Sequence, residues 1–195
     1  MHQEIMASFA LAPIRWLPIF ILWFAIWAPL IAVLEYGVHR WIMHKASRVL
    51  DPQLEHLKSH AAHHGGSNTG EFVDAPLKDC VLITSPAFIL LVAWGLTVGP
   101  FSAVLVPAAA LLAWSFLYAY LWTRIHRAIH GAEVNWFRRC GRVFQFFCAH
   151  HFRHHANAKV NFGAVFPWTD YMFVTWGGPT GGGRNKNAAR TPQHP

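Results

Sequence analysis

Histidine is the residue type whose number and spacing in this chain most directly suggest chemistry. The 195 residues include fourteen histidines and only nine acidic residues. Twelve of the histidines fall in four short clusters, whereas residues 3–38 and 65–125 contain none. Because neutral imidazole binds iron, zinc, copper and nickel well, the clusters predict a metal site. The clusters are His39 and His44; His56, His60, His63 and His64; His126 and His130; and His150, His151, His154 and His155.

The spacing within each cluster predicts how its imidazoles are directed. Positions i, i+3 and i+4 share one face of an α-helix, so HxxHH at 60–64 and 151–155 and HxxxH at 126–130 each converge. His39 and His44 lie five residues apart and diverge by roughly 140° on an ideal helix. That spacing suits a helix that ends near a membrane surface, or two ligands that serve two different metals. The four patterns supply ten imidazoles, enough for two metals with five ligands each.

The cysteines give no support to a structural zinc site. Cys80, Cys140 and Cys148 form no pair at zinc-site spacing, and their odd number argues against a disulfide framework. A pair of transition metals held by histidine beside a membrane is better explained by redox chemistry on a lipid. Iron is the preferred metal, since a redox-inert ion cannot activate oxygen. A membrane metal store or transporter is the alternative of another class.

Three apolar stretches predict an all-α integral membrane protein. Charged residues make up 13% of the chain, against about 25% in soluble proteins. The apolar stretches cover residues 9–34, 81–98 and 101–122, each near the length that crosses a bilayer. Gly99-Pro100 predicts a tight turn between the second and third. Prolines allow the first stretch to be one tilted span or two short re-entrant pieces, so three to four spans are expected and the N-terminus could lie on either side.

The charges predict the orientation of these spans. Fifteen of the sixteen Lys and Arg residues lie in 35–80 or 123–195, which places the histidine clusters on the cytoplasmic side by the positive-inside rule. The net charge of +7 is assigned to contact with anionic headgroups and not to nucleic acid. Residues 1–176 are expected to form one membrane-embedded domain with a helical, histidine-rich cytoplasmic cap. The Gly-rich basic tail, residues 177–195, is expected to be disordered.

The order HxxxxH, HxxHH, HxxxH and HxxHH across residues 35–176 resembles the fatty acid hydroxylase superfamily, which includes sterol desaturases and methylsterol oxidases. The details look closest to the fatty acid 2-hydroxylases. Glu35-Tyr36 before His39-Arg40 resembles their EYxxHR, and AHHFRHH at 149–155 resembles their AHHxxHH. Asn161-Phe162-Gly163 resembles the start of their closing motif. In that motif Trp directly precedes Asp, whereas Thr169 separates Trp168 from Asp170 here, so no role is assigned to Asp170.

The resemblance implies a membrane-bound di-iron oxygenase with no catalytic residue beyond the metal site. His56 and His150 would orient the ligands. Glu35 would either face His39 or reach the membrane interface as a snorkelling carboxylate. The implied metal ligands are His39, His44, His60, His63, His64, His126, His130, His151, His154 and His155.

The implied reaction is O2-dependent hydroxylation of a fatty acyl chain or other lipid. Desaturation or oxidation of a sterol, carotenoid or amino-lipid is the alternative within this class. The sequence contains no GxGxxG fingerprint and no cysteine set for an iron–sulfur cluster, and no appended haem domain is expected. A ferredoxin or small cytochrome with its reductase is therefore expected to supply electrons. Arg138, Arg139 and Arg142 would either dock such an acidic partner or contact anionic lipid.

Overall fold

The computed structural model describes residues 2–44, 77–97 and 102–177, and this part of the chain is helical without strands. The second histidine cluster, the turn at Gly99-Pro100 and the tail from residue 178 onward lie outside the described residues. The elements in order are α1 (His2–Gly37), a π-helical segment (Val38–Met43), α2 (Leu77–Thr97), α3 (Ser102–Ile129), a 3-10 helix (Trp136–Cys140), α4 (Arg142–Ala156) and α5 (Trp168–Met172).

Two of the described helices are long and apolar enough to cross a membrane. They are Trp16–Met43 and Val104–Ile129. Only 11% of the most apolar part of the first is buried against the protein, so its side chains need an apolar environment that the fold itself does not provide. The described side chains of α2 form a shorter apolar stretch, Thr84–Thr97. The expectation of three to four spans therefore remains a prediction.

The first apolar stretch forms one continuous helix. α1 runs through Pro13, Pro18 and Pro29 without a break, so the alternative of two short re-entrant pieces is wrong. The helical backbone also continues past the expected end at residue 34, through Gly37 and on to Met43. The sequence suggested an earlier end because polar residues begin at Glu35. In the structure those polar side chains find partners inside the protein, so the helix continues.

α3 is the central helix of the apolar part and packs against both α1 and α2. Tryptophan side chains fasten it to α1, since the Trp27 indole donates to the Pro107 carbonyl at 2.9 Å and the Trp114 indole to the Phe24 carbonyl at 2.5 Å. The Phe24 and Trp114 rings stack with centroids 4.4 Å apart. These bonds satisfy the indole N–H groups where lipid offers no partner.

The contact between α2 and α3 combines a polar pair with a close approach of the two helices. The Thr84 and Ser115 hydroxyls lie 2.9 Å apart and are buried. Near the other end of α2, a Cβ on Gly95 would lie 2.1 Å from Cγ2 of Val104. Only glycine fits here while Val104 keeps its position. α3 is thereby held at a fixed depth and rotation, which sets the place of the histidines near its C-terminal end.

Candidate metal centre

His39, His44 and His154 form one compact set of imidazoles, here called the three-histidine group. One nitrogen from each ring lies within 4.8 Å of the others. His39 and His154 are almost completely buried, and His44 is half-buried. The Nε2 atoms of His44 and His154 are 3.0 Å apart. Three convergent nitrogens at this separation are a suitable donor set for one imidazole-binding transition metal.

The π-helical segment explains why His39 and His44 belong to the same group. A π-helix pairs residue i with i+5, so side chains five residues apart lie one above the other. The two rings are stacked, with centroids 5.1 Å apart and planes inclined by 23°. The divergence of roughly 140° expected for an ideal α-helix is therefore wrong. The membership of both rings in one group favours a shared metal over two separate ones. The helix ends at Met43, directly before His44, while the other expectation, that it ends near a membrane surface, stays a prediction.

His126, His130, His151 and His155 form a second set, the four-histidine group. Its nitrogens also lie within 4.8 Å of one another. α3 supplies the first two and α4 the last two, each as an i, i+4 pair on one helix face, as the spacing predicts. Nε2 of His151 lies 2.8 Å from Nε2 of His130 and 2.9 Å from that of His155. Burial and the neighbouring imidazoles lower the pKa of His151 well below its usual value, which favours the neutral, metal-binding form.

The two groups lie side by side and share α4. The HxxHH pattern of this helix divides between them, because His154 joins the three-histidine group while His151 and His155 join the other. The His151 and His154 ring centroids are 6.4 Å apart. The buried Trp122 ring lies between the groups, 5.8 Å from His39 and 6.0 Å from His126. Two neighbouring sites for transition metals fit this arrangement.

Backbone carbonyls fix the ring orientation of two buried histidines. His39 Nδ1–H donates to the Phe162 carbonyl at 2.5 Å, and His154 Nδ1–H donates to the Val160 carbonyl at 2.6 Å. A proton on Nδ1 leaves the Nε2 lone pair available to a metal, and such bonds commonly set the tautomer of a metal-binding histidine. The segment from Val160 to Phe166 therefore determines how both rings are presented.

Asp170 holds this segment in place from inside the protein. Its carboxylate is completely buried and accepts the Phe162 N–H at 2.8 Å and the Gly163 N–H at 2.9 Å. The Thr175 hydroxyl donates to the same carboxylate at 2.8 Å, and His150 Nε2 lies 3.1 Å from it. The sequence alone gave no reason to assign Asp170 a role, because Thr169 shifts it by one residue from the pattern of the family it resembles. A signal was nevertheless present, since Asp170 is the only acidic residue between 134 and 177.

Glu35 holds the same segment from α1. Its carboxylate is buried and accepts the Val165 N–H at 2.7 Å and the Phe166 N–H at 3.0 Å. The snorkelling alternative is therefore wrong, because Glu35 reaches inward and not to solvent. Glu35 is also linked to His39 through the backbone of this segment. Glu35 fixes the loop whose Phe162 carbonyl accepts from His39.

His150 lies behind the four-histidine group. Its ring is buried, bonds Asp170 and packs 5.2 Å from the Trp176 ring. The Asn161 side chain donates to the His150 carbonyl at 3.1 Å, and its Oδ1 accepts the Gly177 N–H at 2.9 Å. His150 thus supports the loop that orients His39 and His154. The remaining expected site residues, His56, His60, His63 and His64, lie outside the described part of the chain.

Residues 23–175 match the family model described as fatty acid hydroxylase, which is well over half of the chain. The chain belongs to the fatty acid hydroxylase family. The resemblance inferred from the histidine patterns is thereby confirmed at the level of the family. Searches among curated proteins and among solved structures gave no match. Membership of the fatty acid hydroxylase family, together with the apolar helices and the histidine groups, indicates a membrane oxidoreductase that hydroxylates or desaturates lipids.

Proposed function

We propose that this protein is a di-iron oxygenase that hydroxylates a C–H bond of a fatty acyl chain or another membrane lipid. The observation that carries the proposal is the pair of all-imidazole groups that lie side by side at the ends of apolar helices. The motif details favour a fatty acid 2-hydroxylase within the family. Residues 1–176 would form the single functional domain.

The proposed ligands are the seven histidines of the two described groups together with three from the second cluster. If each metal has five ligands, two histidines of the second cluster complete the three-histidine group, and the remaining one completes the four-histidine group. Iron is the proposed metal, because imidazole suits iron and the reaction needs a redox-active ion. The second-cluster ligands would be His60, His63 and His64, with His56 as an orienting neighbour.

The reaction consumes one lipid C–H bond, one O2, two electrons and two protons, and it yields the hydroxylated lipid and water. When bound, the metal pair supplies oxygen activation and C–H cleavage. This chain's own residues hold the imidazoles in one tautomer and fix the distance between the two groups. The buried Trp122 ring lies beside both His39 and His126, and Phe162 packs on His39, so that apolar rings surround these imidazoles.

The two electrons would come from a ferredoxin or a small cytochrome with its reductase, acting on the cytoplasmic face. Purified metal-loaded protein with O2, lipid and NAD(P)H alone should be inactive. Addition of a ferredoxin and its reductase should restore turnover. Full activity with NAD(P)H alone would exclude the external donor.

Mass spectrometry of extracted lipids tests the reaction type most directly. Cells that express the natural chain are compared with cells that express His154→Ala. The control is His2→Ala, because His2 lies outside all four clusters. A lipid that gains one oxygen supports hydroxylation. A lipid that loses two hydrogens supports the desaturase alternative, for a sterol, carotenoid or amino-lipid as well as for an acyl chain. An unchanged lipid profile would favour a membrane metal-binding protein.

A further inference from the structure

The segment that follows α3 turns back along that helix toward the membrane. The helix ends at Ile129, and Glu133 then forms a salt bridge with Arg124. The Asn135 side chain donates to the Arg124 carbonyl at 2.8 Å, and one residue later the Trp136 indole donates to the Tyr120 hydroxyl at 3.1 Å. Glu133 and Asn135 therefore contact α3 at Arg124, and Trp136 contacts it one turn earlier, at Tyr120.

The contact with Tyr120 fixes the depth of this segment relative to the bilayer. Arg124 is the first charged residue of α3, so the apolar part of the helix ends just before it. Tyr120 lies one helical turn closer to the membrane centre than Arg124. Because Trp136 bonds Tyr120, its ring lies at the boundary between the apolar part and water. Tyrosine and tryptophan are concentrated at that level in membrane proteins.

The outward side of the segment has the composition of a lipid contact. Val134 and Trp136 are 80% and 45% exposed, and Val143 is also exposed. Side chains at i and i+3 lie on the same side of a 3-10 helix, which places Arg139 next to Trp136. Arg142 is exposed at the start of α4. We call the exposed side chains of Val134, Trp136, Arg139, Arg142 and Val143 the interfacial patch.

The patch is held rigidly against the protein. Phe137 is buried directly after the exposed Trp136 and packs on Phe144 and Phe147 with ring centroids 5.7 Å and 5.3 Å away. The Asn135 side chain caps the 3-10 helix by accepting the Phe137 N–H at 3.0 Å. Exposed apolar groups on a fixed support indicate a contact surface that is formed before its partner binds.

We propose that the interfacial patch binds the anionic phospholipid headgroups of the bilayer that contains α1 and α3. Val134, Trp136 and Val143 would enter the headgroup boundary, while Arg139 and Arg142 pair with lipid phosphates. The proposal goes beyond the oxidation reaction and relies only on the membrane location of α3. The same arginines could attract an acidic electron donor, but the bond between Trp136 and Tyr120 places Arg139, which lies next to Trp136, at the level of the bilayer. The donor would then bind elsewhere.

Cys140 offers a natural probe, because it is exposed at the end of the 3-10 helix while Cys80 is buried. A Cys148→Ser protein is labelled at Cys140 with an environment-sensitive fluorophore and placed in nanodiscs that contain doxyl-labelled lipid. The reference label is on Ala158→Cys in a Cys140→Ser, Cys148→Ser protein, since Ala158 is exposed in the loop after α4. Quenching is compared for doxyl phosphatidylglycerol and doxyl phosphatidylcholine.

The label at Cys140 should emit at shorter wavelength than the reference and be quenched more strongly by lipid, with a preference for phosphatidylglycerol. Arg139→Gln and Arg142→Gln should each reduce that preference by roughly five-fold, the factor that about 1 kcal/mol per arginine represents. Lys159→Gln, which removes an exposed charge outside the patch, should leave it unchanged. Unchanged metal content would show that the variants fold.

Two results would overturn the proposal. Quenching at Cys140 no stronger than at the reference would show that the patch faces water. Equal quenching by the two lipids would remove the assignment to anionic headgroups. If the first result were joined by protection of the Cys140 label on addition of a ferredoxin, the patch would be a protein-docking surface instead.

Discussion

Asp170 is connected to His39 through the backbone of a single residue, Phe162. The N–H of Phe162 donates to Asp170 Oδ1 at 2.8 Å, and the carbonyl of Phe162 accepts from His39 Nδ1 at 2.5 Å. A buried carboxylate on α5 therefore determines the position of an imidazole on the π-helical segment far away in sequence. Glu35 fixes the other end of the same loop through Val165 and Phe166.

Asp170→Asn should weaken metal binding. The amide keeps the volume of the side chain but replaces one acceptor oxygen with an N–H2 group, which cannot accept from the loop. Loss of such a supporting contact typically costs about 10–100-fold in metal affinity. The metal affinity is measured by competition with a chelator. Tyr171→Phe, which changes an exposed neighbour in the same short helix, is the matched control. Natural affinity in Asp170→Asn would contradict the positioning role.

Gly95→Ala should destabilise the contact between α2 and α3. The added methyl group would lie 2.1 Å from Val104 Cγ2, and overpacking of this kind costs about 1–3 kcal/mol of unfolding free energy. Thermal unfolding in detergent measures the loss. Val104→Ala removes the clashing atoms, so the double variant should recover part of the stability. Ala93→Val adds volume at an exposed position of the same helix and should be neutral. Equal effects of Gly95→Ala and Ala93→Val would refute the close approach.

The histidine groups should lie on the cytoplasmic side of the membrane. Ser102→Cys at the start of α3 and Asn157→Cys after α4 are introduced separately into a Cys140→Ser, Cys148→Ser protein. An impermeant maleimide added to sealed vesicles should label the two positions from opposite sides, with Asn157→Cys accessible from the cytoplasmic one. Labelling of both from one side would show that α3 does not cross the bilayer.

The sequence was informative where ordinary α-helix geometry holds. His126 with His130, and His151 with His155, converge because i and i+4 share a face on α3 and α4. The same geometry failed for His39 and His44, because nothing in that stretch signals that the backbone would widen into a π-helix. The helix boundary near residue 34 failed for a related reason. Glu35 and His39 are buried because they hydrogen-bond to the backbone of the distant segment from Val160 to Phe166. Such long-range partners are not visible in the local sequence pattern.

The role of Asp170 was missed because a single family pattern was given more weight than local chemistry. Phe162 and Gly163 lie in an irregular loop whose N–H groups need acceptors when buried. Asp170 is the only carboxylate close to them in sequence, and it follows them by eight and seven residues. A count of donors and acceptors along this stretch would have indicated it, although the pairing with His150 depends on how α4 and α5 pack.

Elemental analysis of the purified protein tests the proposed metal centre most directly. The natural chain should contain two iron ions per molecule, one for each histidine group. His154→Ala, which removes a ligand from the three-histidine group, and His130→Ala, which removes one from the four-histidine group, should each lose at least one ion. His2→Ala should retain both. Full metal content in both His154→Ala and His130→Ala would contradict the assignment of these two groups as the metal centre.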